Sequence, residues 1–210
     1  MKDVKNELND VLQDVQTVVF DLDGTLYDKR GLAGRIVSRL WWCMPMLAAE
    51  RLARRAMKNK MYDSAEAFYE AFFEQMAKGH YWTGKIADKW YNKVYLPTMV
   101  RAIHRYHHPR EEVMAIVREG QRRGLTMAIY SDYGCVEDKL HALGIDPELF
   151  EVRIDAPATG GLKPAKGSVN KLMKMLGADP KTTLFVGDRD DKDGEAARVV
   201  GAKYLKINND

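Results

Sequence analysis

Five short segments of the chain are rich in β-forming, mostly apolar residues. They are TVVFD (17–21), LTMAIYS (125–131), EVRID (151–155), TLFVGD (183–188) and KYLKI (203–207). Near-continuous apolarity, without alternation of polar and apolar positions, is what a strand covered on both faces requires. Helical patterns lie between these segments, as parallel crossovers require. The pattern therefore predicts an α/β fold built on a doubly wound parallel sheet.

The first two predicted strands are separated by about a hundred residues, whereas a crossover between parallel strands needs far fewer. The separating segment consists almost entirely of helix-forming residues. We therefore expect an inserted, all-helical domain at 30–108. The main domain would then be formed by 1–29 together with 109–210.

Helix start and stop signals divide the insert into several elements. Ser64 is a favourable N-cap for a helix over 64–78, which ends at Gly79. The segment before it predicts either one helix broken near Pro45 or two helices in succession. The segment after it predicts a further helical stretch with a break near Pro97.

The composition is that of an ordinary globular protein, with 46% hydrophobic and 30% charged residues in 210. Cys43 and Cys135 lack the spacing of a zinc site or of a disulfide framework, which favours a reducing cytoplasm. The N-terminal MKDVKNELNDVLQDV has a helical apolar stripe and predicts a short packing helix, not a signal peptide. The longest apolar stretch, at 40–49, is about half a membrane span, so no transmembrane helix is expected.

The chain carries a net charge of +3, which suits a small anionic substrate. Neither a Gly-rich phosphate loop nor a nucleic-acid-binding motif is present in the sequence, so we expect no nucleic-acid partner. One stripe in the insert is interpreted as its apolar core: Trp41, Trp42, Met44, Met46 and Leu47. Arginines surround this stripe, so a membrane-surface helix or a pocket for an amphipathic phosphate is the less favoured alternative. The oligomeric state does not follow from the sequence.

Polar residues stand at the carboxyl ends of the predicted strands, where open parallel sheets bind ligands. They are Asp21, Ser131, Asp132 and Asp188, together with Lys163 in the loop after the third strand. Carboxylates gathered there would repel one another by about 4 kcal/mol per close pair at an effective dielectric constant of about 20. A divalent cation and a lysine can offset this repulsion.

Mg²⁺ prefers oxygen ligands and usually takes one or two protein carboxylates, for which we expect Asp21 and Asp188. The DGT turn at 23–25 would swing the Asp23 side chain away from the metal and leave it available for proton transfer. Ser131 could hold phosphate oxygens, and Lys163 could balance the charge.

Four segments in order, DLDGTLYD, AIYSD, GLKP and FVGDRDDKD, resemble the motifs of the haloacid dehalogenase-like superfamily. CVEDKLHALGIDPELFEVR and DGEAARVVGAKYLKI resemble its connecting segments. The likeness covers roughly 15–30 and 109–207, and the insert resembles an α-helical cap in its position and helix content. Four motifs in order at predicted strand ends are a specific signal. The resemblance implies a Rossmann-like core with a helical cap domain.

The resemblance implies a role for each motif residue. Asp21 would be the nucleophile that forms an aspartyl-phosphate and would also bind Mg²⁺. Asp23 would donate a proton to the leaving alkoxide and then activate water, with its backbone carbonyl also reaching the metal. Lys163 would neutralise charge, and Asp188 would hold Mg²⁺.

Two further positions complete the implied site. Ser131 and Asp132, the latter through its backbone amide, would bind the phosphoryl group together with Lys163. Related sequences often have asparagine at the position of Asp132. The last acidic position of the site could be Asp190, Asp191 or Asp193. The following segment, GEAARVVG, aligns best with the family if Asp193 is chosen. Asp193 would then support the metal from its outer sphere.

Asp23 favours phosphate-ester hydrolysis, because dehalogenases and phosphonate-cleaving members of the family do not have an acid at this position. We therefore expect a Mg²⁺-dependent phosphatase that acts on a small phosphorylated metabolite, with cap hinges near 28–31 and 108–110. A phosphomutase, or a non-catalytic binding protein that retains the fold, is the alternative. Three histidines near the second hinge are interpreted as hinge or surface residues, not as a metal site: His104, His107 and His108.

Overall fold

The computed structural model describes residues 9–208 of the chain. The N-terminal helix predicted from the apolar stripe begins outside the described residues. Within them, residues 9–11 are helical, and Leu12 and Val15 are buried. No helix in the described part of the chain combines the length and the apolar character needed to cross a membrane.

The sheet has five strands, and all five predicted strands are confirmed. They are β1 (Thr17–Phe20), β2 (Thr126–Ser131), β3 (Val152–Asp155), β4 (Thr183–Gly187) and β5 (Lys203–Lys206). Their spatial order is β3-β2-β1-β4-β5, and every neighbouring pair is parallel. The chain order reverses at β1, which opens a crevice beside the carboxyl ends of β1 and β4.

Five helices fill the segment between β1 and the rest of the sheet. They are α1 (Leu32–Arg39), α2 (Met44–Ala56), α3 (Ala65–Ala77), α4 (Gly84–Trp90) and α5 (Leu96–Tyr106). The protein is therefore an α/β fold with an inserted all-helical cap. The boundaries of the cap at 30 and 108 stay a prediction.

Four helices cover the two faces of the sheet: α6 (Glu111–Arg123), α7 (Val136–Ala142), α8 (Lys166–Leu176) and α9 (Glu195–Val200). Alternate residues of β1 enter different cores, with Val18 and Phe20 in one and Val19 in the other. The first core includes Val113 of α6, and the second includes Leu172 of α8. Both faces of the sheet are buried against apolar side chains. This explains why polar and apolar residues do not alternate along the strands.

The helices of the cap follow the local sequence signals closely. Ser64 caps α3, and its Oγ accepts a hydrogen bond of 3.2 Å from the amide of Ala67. The segment around Pro45 forms two helices in succession, with this proline in the first turn of α2. The predicted break near Pro97 takes the form of a π-helical turn at Tyr91–Tyr95. Proline has no amide hydrogen to donate, so the regular hydrogen-bond pattern of the helix is interrupted here.

The stripe interpreted as cap core is only partly buried, and the prediction is wrong for three of its residues. Trp41 is 71% exposed, Trp42 61% and Met44 47%, whereas Leu47 is buried. A short 3₁₀ turn at Trp41–Cys43 changes the helical phase between α1 and α2. The two indole rings consequently point to solvent.

Several contacts hold the cap against the core. Arg54 of α2 donates a 2.9 Å hydrogen bond to the backbone carbonyl of Asp132, and its buried partner on the same helix is Glu50. The amide of Tyr62 donates to the carbonyl of Gly160 at 2.7 Å. The cap therefore rests directly on the segments that follow β2 and β3.

The two chain segments that connect the cap to the core lie side by side. The amide of Arg110 donates to the carbonyl of Leu26 at 2.8 Å, and His107 Nδ1 lies 2.6 Å from the carbonyl oxygen of Asp28. His107 is buried, so it is not a surface residue. His104 and His108 are exposed.

Candidate active site

Asp21 continues the path of β1 by one residue. Its amide donates to the carbonyl of Val186 in β4 at 2.9 Å, and its Oδ2 accepts a 2.8 Å bond from the hydroxyl of Thr25. Gly24 turns the chain with φ of 107°, and a Cβ there would come within 2.7 Å of Asp188 Oδ2. Glycine is therefore required at this turn.

Lys163 connects the first and last motifs through one buried ammonium group. Its Nζ lies 2.7 Å from Asp21 Oδ1 and 2.6 Å from Asp193 Oδ1, and it donates to the carbonyl of Tyr130 at 2.9 Å. Burial alone would lower the pKa of Lys163, but the carboxylates of Asp193 and Asp21 hold that pKa well above its usual value. The lysine is permanently charged.

The carboxyl group of Asp21 has an unusual protonation equilibrium. Burial raises its pKa to about 6, because the partial offset from Lys163 is itself opposed by the negative charge of Asp193. The positive charge of Lys163 therefore does not outweigh the cost of burying an ionised carboxylate at this position. A further cation at this position would favour the ionised carboxylate.

Three carboxylates provide a place for such a cation. Asp21, Asp188 and Asp193 each offer an oxygen within 4.8 Å of the others, and an all-oxygen donor set suits a hard ion such as Mg²⁺. The structure brings Asp193 into this cluster, whereas Asp190 pairs with Arg198 and Asp191 with Arg189 on the exposed side.

Asp23 faces a separate set of partners. Its Oδ2 lies 2.6 Å from Lys139 Nζ and accepts a 3.1 Å bond from Ser131, and its Oδ1 accepts a 2.6 Å bond from the hydroxyl of Tyr27. Burial would raise the pKa of Asp23, but Lys139 and these hydrogen bonds outweigh burial and lower that pKa. The carboxylate of Asp23 is thus held ionised and away from the acidic cluster.

Lys139 and Lys29 are site residues that the sequence reasoning missed. Lys139 is fully buried on the apolar face of α7, between Val136 and Leu140, and a lysine on such a face signals a buried charge partner. Lys29 Nζ lies 2.5 Å from Asp188 Oδ2 and 3.2 Å from the backbone carbonyl of Asp23. No pattern in the sequence marked Lys29, because its partners are set by the turn geometry.

Asp132 is buried, and both of its carboxylate oxygens have partners. Its Oδ1 accepts a 3.0 Å bond from the amide of Lys163, and its Oδ2 pairs with Lys192. Burial would raise the pKa of Asp132, but the two lysines lower it. The neighbouring Ser131 accepts a 3.2 Å bond from the amide of Tyr133. These contacts neutralise the extra charge at the position of Asp132.

A cavity of about 380 Å³ lies between this cluster and the cap. Its core side contains all the predicted carboxylates and Lys163, and its cap side is formed by α1, α2 and α5. Ser131 does not line the cavity directly but contacts Asp23, which does. The arrangement places a buried carboxylate, a fixed positive charge and a second carboxylate within one pocket, and these are the groups that nucleophilic and acid–base catalysis use.

A family model for haloacid dehalogenase-like hydrolases matches residues 15–201. None of the curated proteins compared with the chain matches it significantly. Solved structures give clear matches across nearly the whole chain. The match to the family model includes all four motifs and the intervening cap.

Three solved structures illustrate the likeness. A protein from Bacillus subtilis, described as a HAD-hydrolase bound to magnesium, is 16% identical with a TM-score of 0.63, over 92% of this chain and 88% of that one. A predicted phosphoglycolate phosphatase from Haemophilus somnus is 21% identical with a TM-score of 0.63, over 95% and 89%. The L-2-haloacid dehalogenase of Xanthobacter autotrophicus is 20% identical with a TM-score of 0.58, over 92% and 77%.

At these identities the solved structures establish the fold, while the family model establishes the relationship. Three of the four motifs lie at the carboxyl ends of strands, and the third, at 161–164, lies in the segment that follows β3. All four contribute to the site around one cavity, and the cap is inserted after the first motif. The resemblance inferred from those motifs is confirmed. The chain therefore belongs to the haloacid dehalogenase-like hydrolases, a family of enzymes.

Proposed function

We propose that this enzyme is a Mg²⁺-dependent phosphatase that hydrolyses a small phosphorylated metabolite through a phosphorylated Asp21. The observation that carries the proposal is the pair of carboxylates two residues apart with separate partners. Asp21 contacts Lys163, and Asp23 contacts Lys139 and Ser131. A nucleophile and an independent proton-transfer group are what phosphate-ester hydrolysis needs, whereas dehalogenases lack the second acid.

The metal ligands in this proposal are carboxylate oxygens of Asp21 and Asp188 and the backbone carbonyl of Asp23, with Asp193 as an outer-sphere support. Mg²⁺ bound there would neutralise carboxylate charge and withdraw electron density from the phosphoryl oxygens. The ammonium of Lys29 already bridges Asp188 and the carbonyl of Asp23. Lys29 must therefore move away before both oxygens can serve as ligands.

Formation of the intermediate depends on Asp21 and Lys163. An oxygen of Asp21 attacks phosphorus while the bond to the alcohol oxygen breaks, and the phosphoryl group is transferred to the carboxylate. Lys163, fixed between Asp21 and Asp193, balances the charge that the phosphate brings. Ser131 Oγ, one hydrogen bond away from Asp23, would donate to a phosphoryl oxygen.

Proton transfer is assigned to Asp23. In the described arrangement its pKa is lowered, so Asp23 is ionised, which is the form that can accept a proton from the water that hydrolyses the aspartyl-phosphate. Donation to the leaving alkoxide requires Asp23 to be protonated first. Movement of Lys139 away from Asp23 would favour this step, because burial would then raise the pKa of the carboxyl group.

Cap motion would admit the substrate and then exclude water. The proposed hinges, at 28–31 and 108–110, lie beside each other, with Arg110 bound to the carbonyl of Leu26. The Bacillus subtilis structure is described as revealing interdomain movement. The free thiols of Cys43 and Cys135 suit a reducing compartment, and we propose the cytoplasm.

The test is release of inorganic phosphate from an aryl phosphate such as p-nitrophenyl phosphate. We expect turnover with Mg²⁺ and none after chelation with EDTA, restored when Mg²⁺ is added back. A sugar phosphate that is isomerised without phosphate release would indicate a phosphomutase. Absence of Mg²⁺-stimulated hydrolysis across a broad panel of phosphate esters would contradict the phosphatase and favour a binding protein.

A further inference from the structure

The cavity over the acidic cluster has two chemically different ends. Its core end is charged, whereas the side chains that the cap contributes are mostly apolar: Leu32, Ala33, Ile36, Val37, Leu47 and Met99. Ile36 and Leu47 are among the buried residues of the protein. Walls of this kind bind the apolar part of a ligand, while the few polar groups fix its orientation.

Polar groups at the cap end are few. Glu50, Arg51 and Tyr95 are the polar side chains that the described cap helices contribute to the lining, and Glu50 is already paired with Arg54. Among the described lining residues there is no Ser, Thr, Asn, Gln or His. A sugar or polyol phosphate would bury several hydroxyl groups against these mostly apolar walls, where Arg51 and Tyr95 offer too few partners for all of them, which disfavours its binding.

We propose, as an inference that rests on the phosphatase function, that the substrate is a phosphomonoester with an apolar alcohol part. The phosphate would lie at Asp21 and Lys163, and the aliphatic or aromatic body would lie against Ile36 and Leu47 of the cap. The cavity volume of about 380 Å³ is near the lower end for small-molecule sites, so the body is compact.

The test compares esters of primary alcohols that differ only in their hydroxyl groups. Ethyl, butyl and hexyl phosphate are assayed against the glycol, erythritol and sorbitol phosphates with the same number of carbons. We expect kcat/KM to rise about fourfold for each CH₂ added to the alkyl series, the fold-change that corresponds to burying one methylene. Each polyol ester should be hydrolysed at least about tenfold less efficiently than its alkyl partner, because its hydroxyl groups stay unpaired.

Three variants at two positions of the same helix test the location. Leu47→Asn should flatten the dependence of kcat/KM on alkyl length, whereas the conservative Leu47→Met should preserve that dependence. Leu52→Asn should leave it unchanged, since Leu52 is 58% exposed and does not line the cavity. Equal or better hydrolysis of the polyol esters would overturn the inference while leaving the phosphatase intact. Loss of hydrolysis with every ester, aryl phosphate included, would instead mean that the proposed function has failed.

The exposed surface of the cap carries a second, independent signal. Trp41, Trp42, Met44 and Leu52 are 47–71% exposed, and we call them the tryptophan face. Between 29 and 62 the chain has nine Lys and Arg residues and one acid, the buried Glu50. Arg51 and Arg55 lie on the exposed stripe of α2 with Met44 and Leu52. The exposed charge within this segment is therefore entirely positive.

We infer that the tryptophan face binds the surface of an anionic lipid bilayer. Indole rings favour the interface between water and acyl chains, and a surrounding of arginines favours anionic headgroups over neutral ones. The charge complementarity selects a lipid surface in preference to a second copy of this chain, because two cationic faces would repel each other.

Sedimentation with vesicles tests this binding. We expect the protein to bind vesicles of phosphatidylcholine mixed with phosphatidylglycerol and not vesicles of phosphatidylcholine alone, with binding weakened by salt. The double variant Trp41→Ala/Trp42→Ala should lose at least about tenfold in apparent affinity, because both aromatic contacts with the interface are lost. Tyr81→Ala, at a residue that is 94% exposed elsewhere on the cap, should bind as the unaltered protein does. Equal binding of the double variant, binding to neutral vesicles, or concentration-dependent dimerisation through this face would overturn the inference.

Discussion

Replacing Asp21 with Asn is expected to lower kcat for an aryl phosphate by about ten-thousandfold or more, as removal of a nucleophile does in other enzymes. The amide cannot attack phosphorus, and it also removes one of the proposed metal ligands. The measurement is steady-state phosphate release with saturating Mg²⁺. Asp191→Asn, at an exposed residue paired with Arg189, is the matched control and should retain activity.

The same variant should not be less stable than the unaltered protein at neutral pH. The pKa of Asp21 is about 6 in the fold, above the value of an exposed carboxyl group, so the folded state binds the proton more tightly than the unfolded chain. Above pH 6 the ionised group therefore costs stability, and Asp21→Asn should gain about 1 to 3 kcal/mol at pH 7. The gain should vanish below pH 4. If Asp21→Asn were inactive and also less stable, misfolding would explain the lost activity. That result would contradict the predicted gain in stability and the role assigned to Asp21.

Mg²⁺ binding is expected to fail in Asp188→Asn, with the Kd raised by about a hundredfold or more, because a ligand contributes at least as much as a second-shell partner. Binding should also weaken with acidity in the unaltered protein. Asp21 must lose its proton to bind the ion, so the apparent Kd should rise about tenfold per pH unit below pH 6.

Isothermal titration with MgCl₂ at several pH values measures both effects without any substrate. Asp190→Asn is the control, because Asp190 lies outside the cluster and pairs with Arg198. An unchanged Kd in Asp188→Asn, or a Kd independent of pH between 5 and 7, would remove the metal from this site.

The strands and the motif residues could be predicted because both depend on short-range patterns. Parallel strands covered on two faces require continuous apolar sequence, and their carboxyl ends meet at one edge. Asp21, Lys163 and Asp188 therefore lie around one cavity although they are far apart in the chain. Asp193 was singled out by the alignment of the segment after it, and the structure places it beside Lys163.

The residues that were missed depend on how the elements pack. Lys139 reaches Asp23 only because the packing of α7 brings it to the turn that follows β1, and Lys29 reaches Asp188 only because the chain turns at Gly24. The exposure of Trp41 and Trp42 follows from the helical phase set by a three-residue turn. Apolar composition alone cannot fix such a phase, so the prediction of a buried stripe is wrong for Trp41, Trp42 and Met44, although Leu47 is buried.

The central claim is that Asp21 carries the phosphoryl group during turnover. Rapid acid quench of the enzyme during hydrolysis of an aryl phosphate, followed by mass spectrometry of its peptides, tests the claim directly. The account predicts one added phosphoryl group on the peptide that contains Asp21, present with Mg²⁺ and absent in Asp21→Asn. Phosphate release with no modified peptide, or with the group on Ser131 instead, would contradict it.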